Sequence, residues 1–357
     1  MSVEFIWQLP TSGDGRYGNA QKTRRGERDS ATHPYSEGVT DPRGQSFNYF
    51  DYLHQIARAA DLVGFDGLLI PQNSDGDEPW IVAGYIARGT RHLKLITQFE
   101  ASWGSSVYAA KNAVSFQRYT NGRVAWQISS GGNLKERRAL GDFVPDEDIL
   151  PRIEEFLTVS KGVTTQVPFT FKGRFFEVLN GGFQGALGNQ PVPQVYLSGS
   201  TNEAYRLSAK HADVHIFDAG IATDIKRQID EFRAIAIHQQ RSIGLSLRID
   251  VIARETEKEA VFDARRFWEQ SGKRTIGENP QVIDHLWDGL STSITGARAT
   301  LVGSYEQVAQ ALITYAKAGI DSFQLSAVPH LEEAYRLGEH VLPIVRAQIH
   351  PQHRRAA

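Results

Sequence analysis

The 357-residue chain has a net charge of −2, with 41% hydrophobic and 22% charged residues. That is the balance of an ordinary globular protein and lacks the strongly basic face that nucleic-acid binding needs. It contains no cysteine, which excludes disulfides, thiolate nucleophiles and Cys-ligated zinc or iron–sulfur centres.

In chain order, short apolar runs alternate with amphipathic helical patterns. Strands are expected over residues 4–9, 67–71, 93–99, 123–129, 194–197, 214–217, 245–253 and 322–326. Helices are expected over 49–63, 78–88, 105–119, 148–162, 202–210, 222–238, 257–270 and 305–318, with 331–349 closing the set. Eight strand–helix units imply parallel pairing with right-handed crossovers. The expectation is an α/β fold, a (β/α)8 TIM barrel, as a single domain over 1–357. Such barrels carry their sites at the C-terminal ends of the strands. The first and last strands both run into polar, Pro-punctuated loops, Pro10-Thr11-Ser12-Gly13-Asp14-Gly15 and Ala327-Val328-Pro329-His330. No apolar stretch is long enough to cross a bilayer. Met1-Ser2-Val3-Glu4 lacks a basic leader and enters a strand at once, so a cytoplasmic protein is expected.

Three segments interrupt the alternation. Residues 16–46 form a long polar insertion holding Arg16, Lys22, Arg24, Arg25 and Arg28 against Glu27 and Asp29. It reads either as a solvated surface loop or as a lid. Residues 169–178 read as a β-hairpin with Lys172-Gly173 at the turn. Residues 271–299 are rich in Gly, Ser and Thr.

Two strand ends could hold a ligand. Ser198-Gly199-Ser200-Thr201 lies between a strand and a helix start, where backbone N–H groups and the helix dipole suit an anion such as a phosphate. Plain helix capping would use the same residues. Gln127-Ile128-Ser129-Ser130-Gly131-Gly132-Asn133 offers hydroxyls and glycines at a second strand end. No dinucleotide fingerprint, Walker loop or nucleophile elbow occurs. His211 and His215 are four apart but straddle a helix end and a strand start, so no metal site is expected.

With these pieces placed, the chain resembles the bacterial-luciferase-like flavin monooxygenases, and within them the alkanesulfonate monooxygenases. The resemblance rests on Phe5 to Gly15, Gly67-Leu68-Leu69-Ile70-Pro71, Asn121-Gly122-Arg123, Phe171-Lys172-Gly173, Ser198-Gly199-Ser200-Thr201, Leu301-Val302-Gly303 and Gly319 to Arg336. It implies a two-component system in which a flavin reductase supplies reduced FMN. It also implies oxidative desulfonation to an aldehyde and sulfite, and a homodimer or homotetramer. On this reading the FMN phosphate sits at Ser198, Gly199, Ser200 and Thr201, with the ring near Gln98 and Ser130. The sulfonate is held by Arg248, His330 and Arg298, with Trp7 beside the substrate.

The departures from the family pattern have one direction. A family His after Leu-Pro-Thr is Ser12, a Cys is Gly76, and a Tyr before Pro-His is Val328. A Trp and a His that line the family's pocket are Asp218 and Asp250. Carboxylates accept hydrogen bonds from hydroxyls, whereas an alkyl chain would leave each unsatisfied at a cost of about 1–3 kcal/mol. A polyhydroxylated sulfonate is therefore expected, with sulfoquinovose first. The alternatives are an alkanesulfonate or another polar substrate, a non-catalytic flavin-binding barrel, or Asp residues that pair with Arg248 or Arg298. Arg248 and Asp250 are expected to point to opposite faces of their strand, so that only one faces the interior.

Overall fold

The computed structural model describes residues 3–16, 19–23, 47–270, 282–288, 290 and 299–349. Most of the expected lid, residues 17–18 and 24–46, and Arg298 lie outside the described residues.

Eight parallel strands appear where the apolar runs place them: β1 (Glu4–Gln8), β2 (Gly67–Ile70), β3 (Lys94–Glu100), β4 (Val124–Ser129), β5 (Gln194–Ser198), β6 (Val214–Asp218), β7 (Gly244–Arg254) and β8 (Ser322–Ser326). Their hydrogen-bond order is β6-β5-β4-β3-β2-β1-β8-β7, and β6 also pairs with β7. This is a closed barrel of eight parallel strands with helices between them, the expected fold class.

Helix boundaries follow the capping chemistry. Asn48 accepts from the backbone of Phe50 and Asp51, and Asp51 returns the bond to Asn48, which starts the Tyr49–Leu62 helix. Ser304 and Gln307 do the same for Tyr305–Ala318, which ends at Gly319 with φ 117°. Residues 331–349 form two helices, His330–His340 and Leu342–Ile349.

The chain divides into two compact units. In the first (Met1–Leu93, Asp218–Arg227 and Ser246–Ala357), Ile6 is in register with Gln324, Gln324 with Arg248, and Ser326 with Asp250. In-register neighbours of a parallel ladder share a face, as do alternate residues of one strand. One face therefore carries Gln8, Arg248, Asp250, Gln324 and Ser326. The other carries Phe5, Trp7, Leu247, Ile249, Phe323 and Leu325, and is the helix side: Phe5 stacks on Phe323 at 5.8 Å and lies 5.3 Å from the Arg346 guanidinium of the last helix. The ladder from Ser246 to Asp250 has no bulge. The expectation that Arg248 and Asp250 point apart is thus wrong, because residues two apart on a strand project the same way.

In the second unit (Lys94–Phe217 and Gln228–Leu245), Gln98 is in register with Gln127, and Gln127 with Tyr196. The helix side is apolar: Trp126 meets Phe156 of the Ile149–Thr165 helix, and His215 and Phe217 pack on Tyr205 and Phe232. Both units thus pair a helix-facing apolar side with an opposite side holding most of the strands' polar residues.

Three local expectations change. The hairpin pairs Phe169–Lys172 with Glu177–Gly181, so its connection is wider than a Lys-Gly turn. The cause is Glu155, whose carboxylate accepts the backbone N–H groups of Arg174, Phe175 and Phe176. Ala299–Ser304 is a further strand, parallel to Asp250–Arg254 of β7. Leu286–Asp288 adds to it antiparallel. At the start of the insertion, Asp14–Arg16 pairs antiparallel with Asn19–Thr23.

Candidate functional site

The face opposite the helices in the first unit carries an ion pair. Arg248 projects from β7, and its Nε and Nη2 both donate to Oδ1 of Asp218, at 2.9 and 2.5 Å. Asp218 ends β6, and the backbone there is tied by the Ala219 N–H to the Arg248 carbonyl. The pair is partly buried, with side-chain exposures of 18% and 30%. Asp250 follows on the same face and is buried. These three positions give two carboxylates and one guanidinium, Asp218 at the end of β6 and Arg248 and Asp250 within β7. Arg248 keeps three of its five N–H groups outside the Asp218 contact.

A second cluster joins the two ends of the barrel sequence. Asp14, just past β1, and His330, just past β8, are both buried. Asp14 Oδ1 lies 2.8 Å from Nδ1 of His330. The His330 backbone N–H donates to both Asp14 oxygens at 3.2 and 3.0 Å, and the Tyr52 hydroxyl donates to Oδ2 at 2.5 Å. On its far side His330 Nε2 lies 3.2 Å from the Ser326 hydroxyl. Trp7 meets the imidazole edge-on, with ring centroids 6.0 Å apart, and Phe65 at 5.2 Å.

The sequence-predicted residues are therefore distributed as follows. Arg248, Asp218 and Asp250 come together. His330 is enclosed by Asp14, Ser326 and Trp7, and Trp7 is buried on the helix side of β1, opposite to the face of Arg248. Gln98 and Ser130 belong to the second unit. There Gln98 is half-buried beside Gln127, and Ser130 is exposed after β4.

The second unit also holds the loop at which an anion is expected. Ser198, Gly199, Ser200 and Thr201 are exposed. The Thr201 side chain caps the Asn202–His211 helix by accepting from Ala204 N–H. Gly199 has φ 134°, and a Cβ there would come within 2.6 Å of the Ala204 Cβ. This bare backbone at a helix N-terminus, flanked by hydroxyls, fits a phosphate group such as that of FMN. Beneath the loop, His215 is stacked on Phe232 at 4.5 Å and bonded to Ser208, and burial lowers its pKa to about 3.

Sequence reasoning missed Asp14, Ser326 and Glu100. Glu100 ends β3, is buried, and has its carboxyl pKa raised by desolvation, against the hydrogen bond from Ser102. A Cβ at Gly131 would lie 2.9 Å from its Oε2, so that glycine lets the loop after β4 close on the carboxyl. The available signal for all three was position, a polar residue at or just beyond the C-terminal end of a barrel strand.

Comparison with solved structures places the whole chain on one architecture. A long-chain alkane monooxygenase superposes with a TM-score of 0.73 at 16% identity, covering 100% of this chain and 93% of that one. A riboflavin lyase, solved with modified FMN and riboflavin, gives 0.72 at 16%, covering 98% and 92%. The EDTA monooxygenase of Chelativorans sp. BNC1 gives 0.70 at 16%, covering 98% and 94%. At such identities the likeness concerns the fold. The sequence model described as luciferase-like monooxygenase matches residues 23–322, and by that match this chain belongs to the luciferase-like monooxygenase family.

Proposed function

We propose that the protein is a reduced-FMN-dependent monooxygenase, fed by a separate flavin reductase, that oxidatively desulfonates a hydroxyl-bearing organosulfonate, with sulfoquinovose as the first candidate. The observation that carries this reading is the Asp218–Arg248–Asp250 group, two carboxylates and a guanidinium on the strand face away from the helices. Ser198, Gly199, Ser200 and Thr201 would hold the FMN phosphate, and Gln98 and Ser130 would lie by its ring. Reduced FMN, when bound, supplies two electrons to dioxygen, so that one oxygen atom enters the substrate and the other leaves as water. The substrate carbon is oxidised to an aldehyde, and the C–S bond breaks with release of sulfite.

The chain's own residues act on the substrate. Arg248 offers its remaining N–H groups to a sulfonate oxygen, a charge-assisted contact. Asp218 sets the orientation of that guanidinium, and Asp250 accepts from substrate hydroxyls.

A second reading is favoured by the same ion pair. Because Asp218 already meets the Arg248 charge, the site also suits an uncharged polar substrate. The test is a substrate screen with a flavin reductase and FMN present, scored for both sulfite and oxygen consumption. Sulfite release from sulfoquinovose supports the first reading. Coupled oxygen consumption only with uncharged substrates supports the second. The absence of any turnover would overturn both and leave a flavin-binding barrel.

A further inference from the structure

We propose that Asp14, His330 and Ser326 form a buried proton relay whose inner end, the Ser326 hydroxyl, exchanges a proton with the substrate. The inference rests on the monooxygenase reading above and adds to it the groups that move the proton.

The hydrogen bonds fix the direction of the relay. Asp14 accepts from the Tyr52 hydroxyl and from the His330 backbone N–H. A carboxylate so supplied with donors acts as an acceptor, which assigns the ring hydrogen of His330 to Nδ1, 2.8 Å away. Nε2 then presents its lone pair to Ser326, whose hydroxyl donates across 3.2 Å. The order carboxylate, imidazole, hydroxyl is recognised by geometry and role rather than by sequence position. All three residues are at most 2% exposed, so the pathway is shielded from solvent protons.

The far end of the relay points to the polar face. Ser326 is in register with Asp250, on the face that also carries Arg248. When the substrate gives a proton to the Ser326 oxygen, the serine proton passes to Nε2. His330 becomes an imidazolium whose charge is met by Asp14, and the reverse transfer returns the proton. One proton leaves the substrate and one is gained by the ring. The side chains that hold the relay come from four elements: Asp14 from the insertion hairpin, Ser326 from β8 and Trp7 from β1 meet the imidazole, and Tyr52 from the Tyr49–Leu62 helix bonds Asp14. Ser326 is the proposed catalytic residue, and His330 and Asp14 are positioning residues that act through it.

The experiment uses the full-length protein. Nitrogen-15 NMR of the histidines should show His330 as the Nδ1–H tautomer. Asp14→Asn, which can place an amide donor at Nδ1, should move the hydrogen to Nε2. With reductase, FMN and the best substrate, Ser326→Ala and Asp14→Asn should each lower kcat by about 10²-fold, the lower range for a lost acid–base group, with KM nearly unchanged. Ser326→Thr, which keeps the hydroxyl, should recover most of the rate. An Nε2–H tautomer in the unmodified protein would overturn the relay, as would an unchanged kcat in Ser326→Ala. Loss of activity in Ser326→Thr equal to that in Ser326→Ala would reduce Ser326 to a packing role and overturn it too. Absence of turnover with every substrate while the Nδ1–H tautomer holds would instead remove the monooxygenase reading, and with it the relay's catalytic role.

Discussion

Arg248 directs two donors, Nε and Nη2, at a single oxygen of Asp218. A guanidinium usually forks across both oxygens of a carboxylate. Here it engages one and keeps its other edge for a different partner, which makes Arg248 an oriented donor rather than a free cation.

Arg248→Ala removes that donor. For a sulfonate substrate kcat/KM should fall by about 2–4 kcal/mol in transition-state terms, the scale of a charge-assisted contact, while FMN affinity measured by fluorescence titration stays close to that of the parent. Asp218→Asn should act on selectivity. With its carboxylate partner gone, the Arg248 guanidinium is no longer held in the orientation that serves a sugar sulfonate, and the preference for sulfoquinovose over octanesulfonate should narrow. A preference that stays the same in the variant would show that neither residue reads the substrate.

The proposed phosphate loop is tested at Gly199. Its φ of 134° is one that residues with a Cβ rarely adopt, and Ala204 occupies the space a methyl group would need. Gly199→Ala should weaken binding of reduced FMN by about tenfold or more, the scale of a strained backbone worth 1–3 kcal/mol, with little change in far-UV circular dichroism. Anaerobic flavin titration of the variant gives the answer, and unaltered affinity would move the phosphate to another strand end.

A buried pair sets a stability prediction. Arg152 forks onto both oxygens of Asp142 at 2.8 and 2.6 Å, and this bond lowers the Asp142 pKa to about 2. Arg152→Ala would strand a buried carboxylate next to Glu100, so unfolding free energy in urea should drop by about 3–5 kcal/mol. A loss under 1 kcal/mol would mean that Arg137 takes over the pairing.

His215 predicts a pH dependence. Burial holds its folded pKa near 3, against 6.5 for the ordinary side chain, with the Gly199 backbone opposing the shift. Between these values the unfolded chain binds one more proton than the folded one, so stability falls as the pH is lowered from 6.5 towards 3, by about 1 kcal/mol per pH unit. Above pH 6.5 this contribution is fully present. His215→Phe, which keeps a ring against Phe232, should flatten the slope of unfolding free energy between pH 6.5 and 4.5. An identical slope in the variant would assign the acid sensitivity to other groups.

The barrel strands were readable because each is an apolar run between clear helix signals, and a strand buried on both sides, such as Gly67–Ile70, needs no alternation to stand out. Ala299–Ser304 was not, since its Leu-Val-Gly core is short and its partner is the tail of β7 rather than a barrel neighbour. The site divides in the same way. Arg248, Asp218 and Asp250 could be found one at a time, and an Asp paired with Arg248 stood among the alternatives, but which Asp takes that place is set by three-dimensional geometry. Asp14 looked like a turn residue between glycines, and only the docking of His330 upon it gives it a role. Local pattern carries strand and helix, whereas contacts between residues far apart in sequence leave no local trace.

The Asp14–His330 contact spans 316 residues, and so has a place in the order of folding. Closing so long a loop is entropically costly and contributes to slow folding of non-local topologies. In a chain made from its N-terminus, Asp14 and Tyr52 emerge early, but the imidazole they serve arrives only when β8 can join β1. The contact is therefore a late one, and a chain interrupted before His330 leaves the Asp14 carboxylate without its ring and backbone donors.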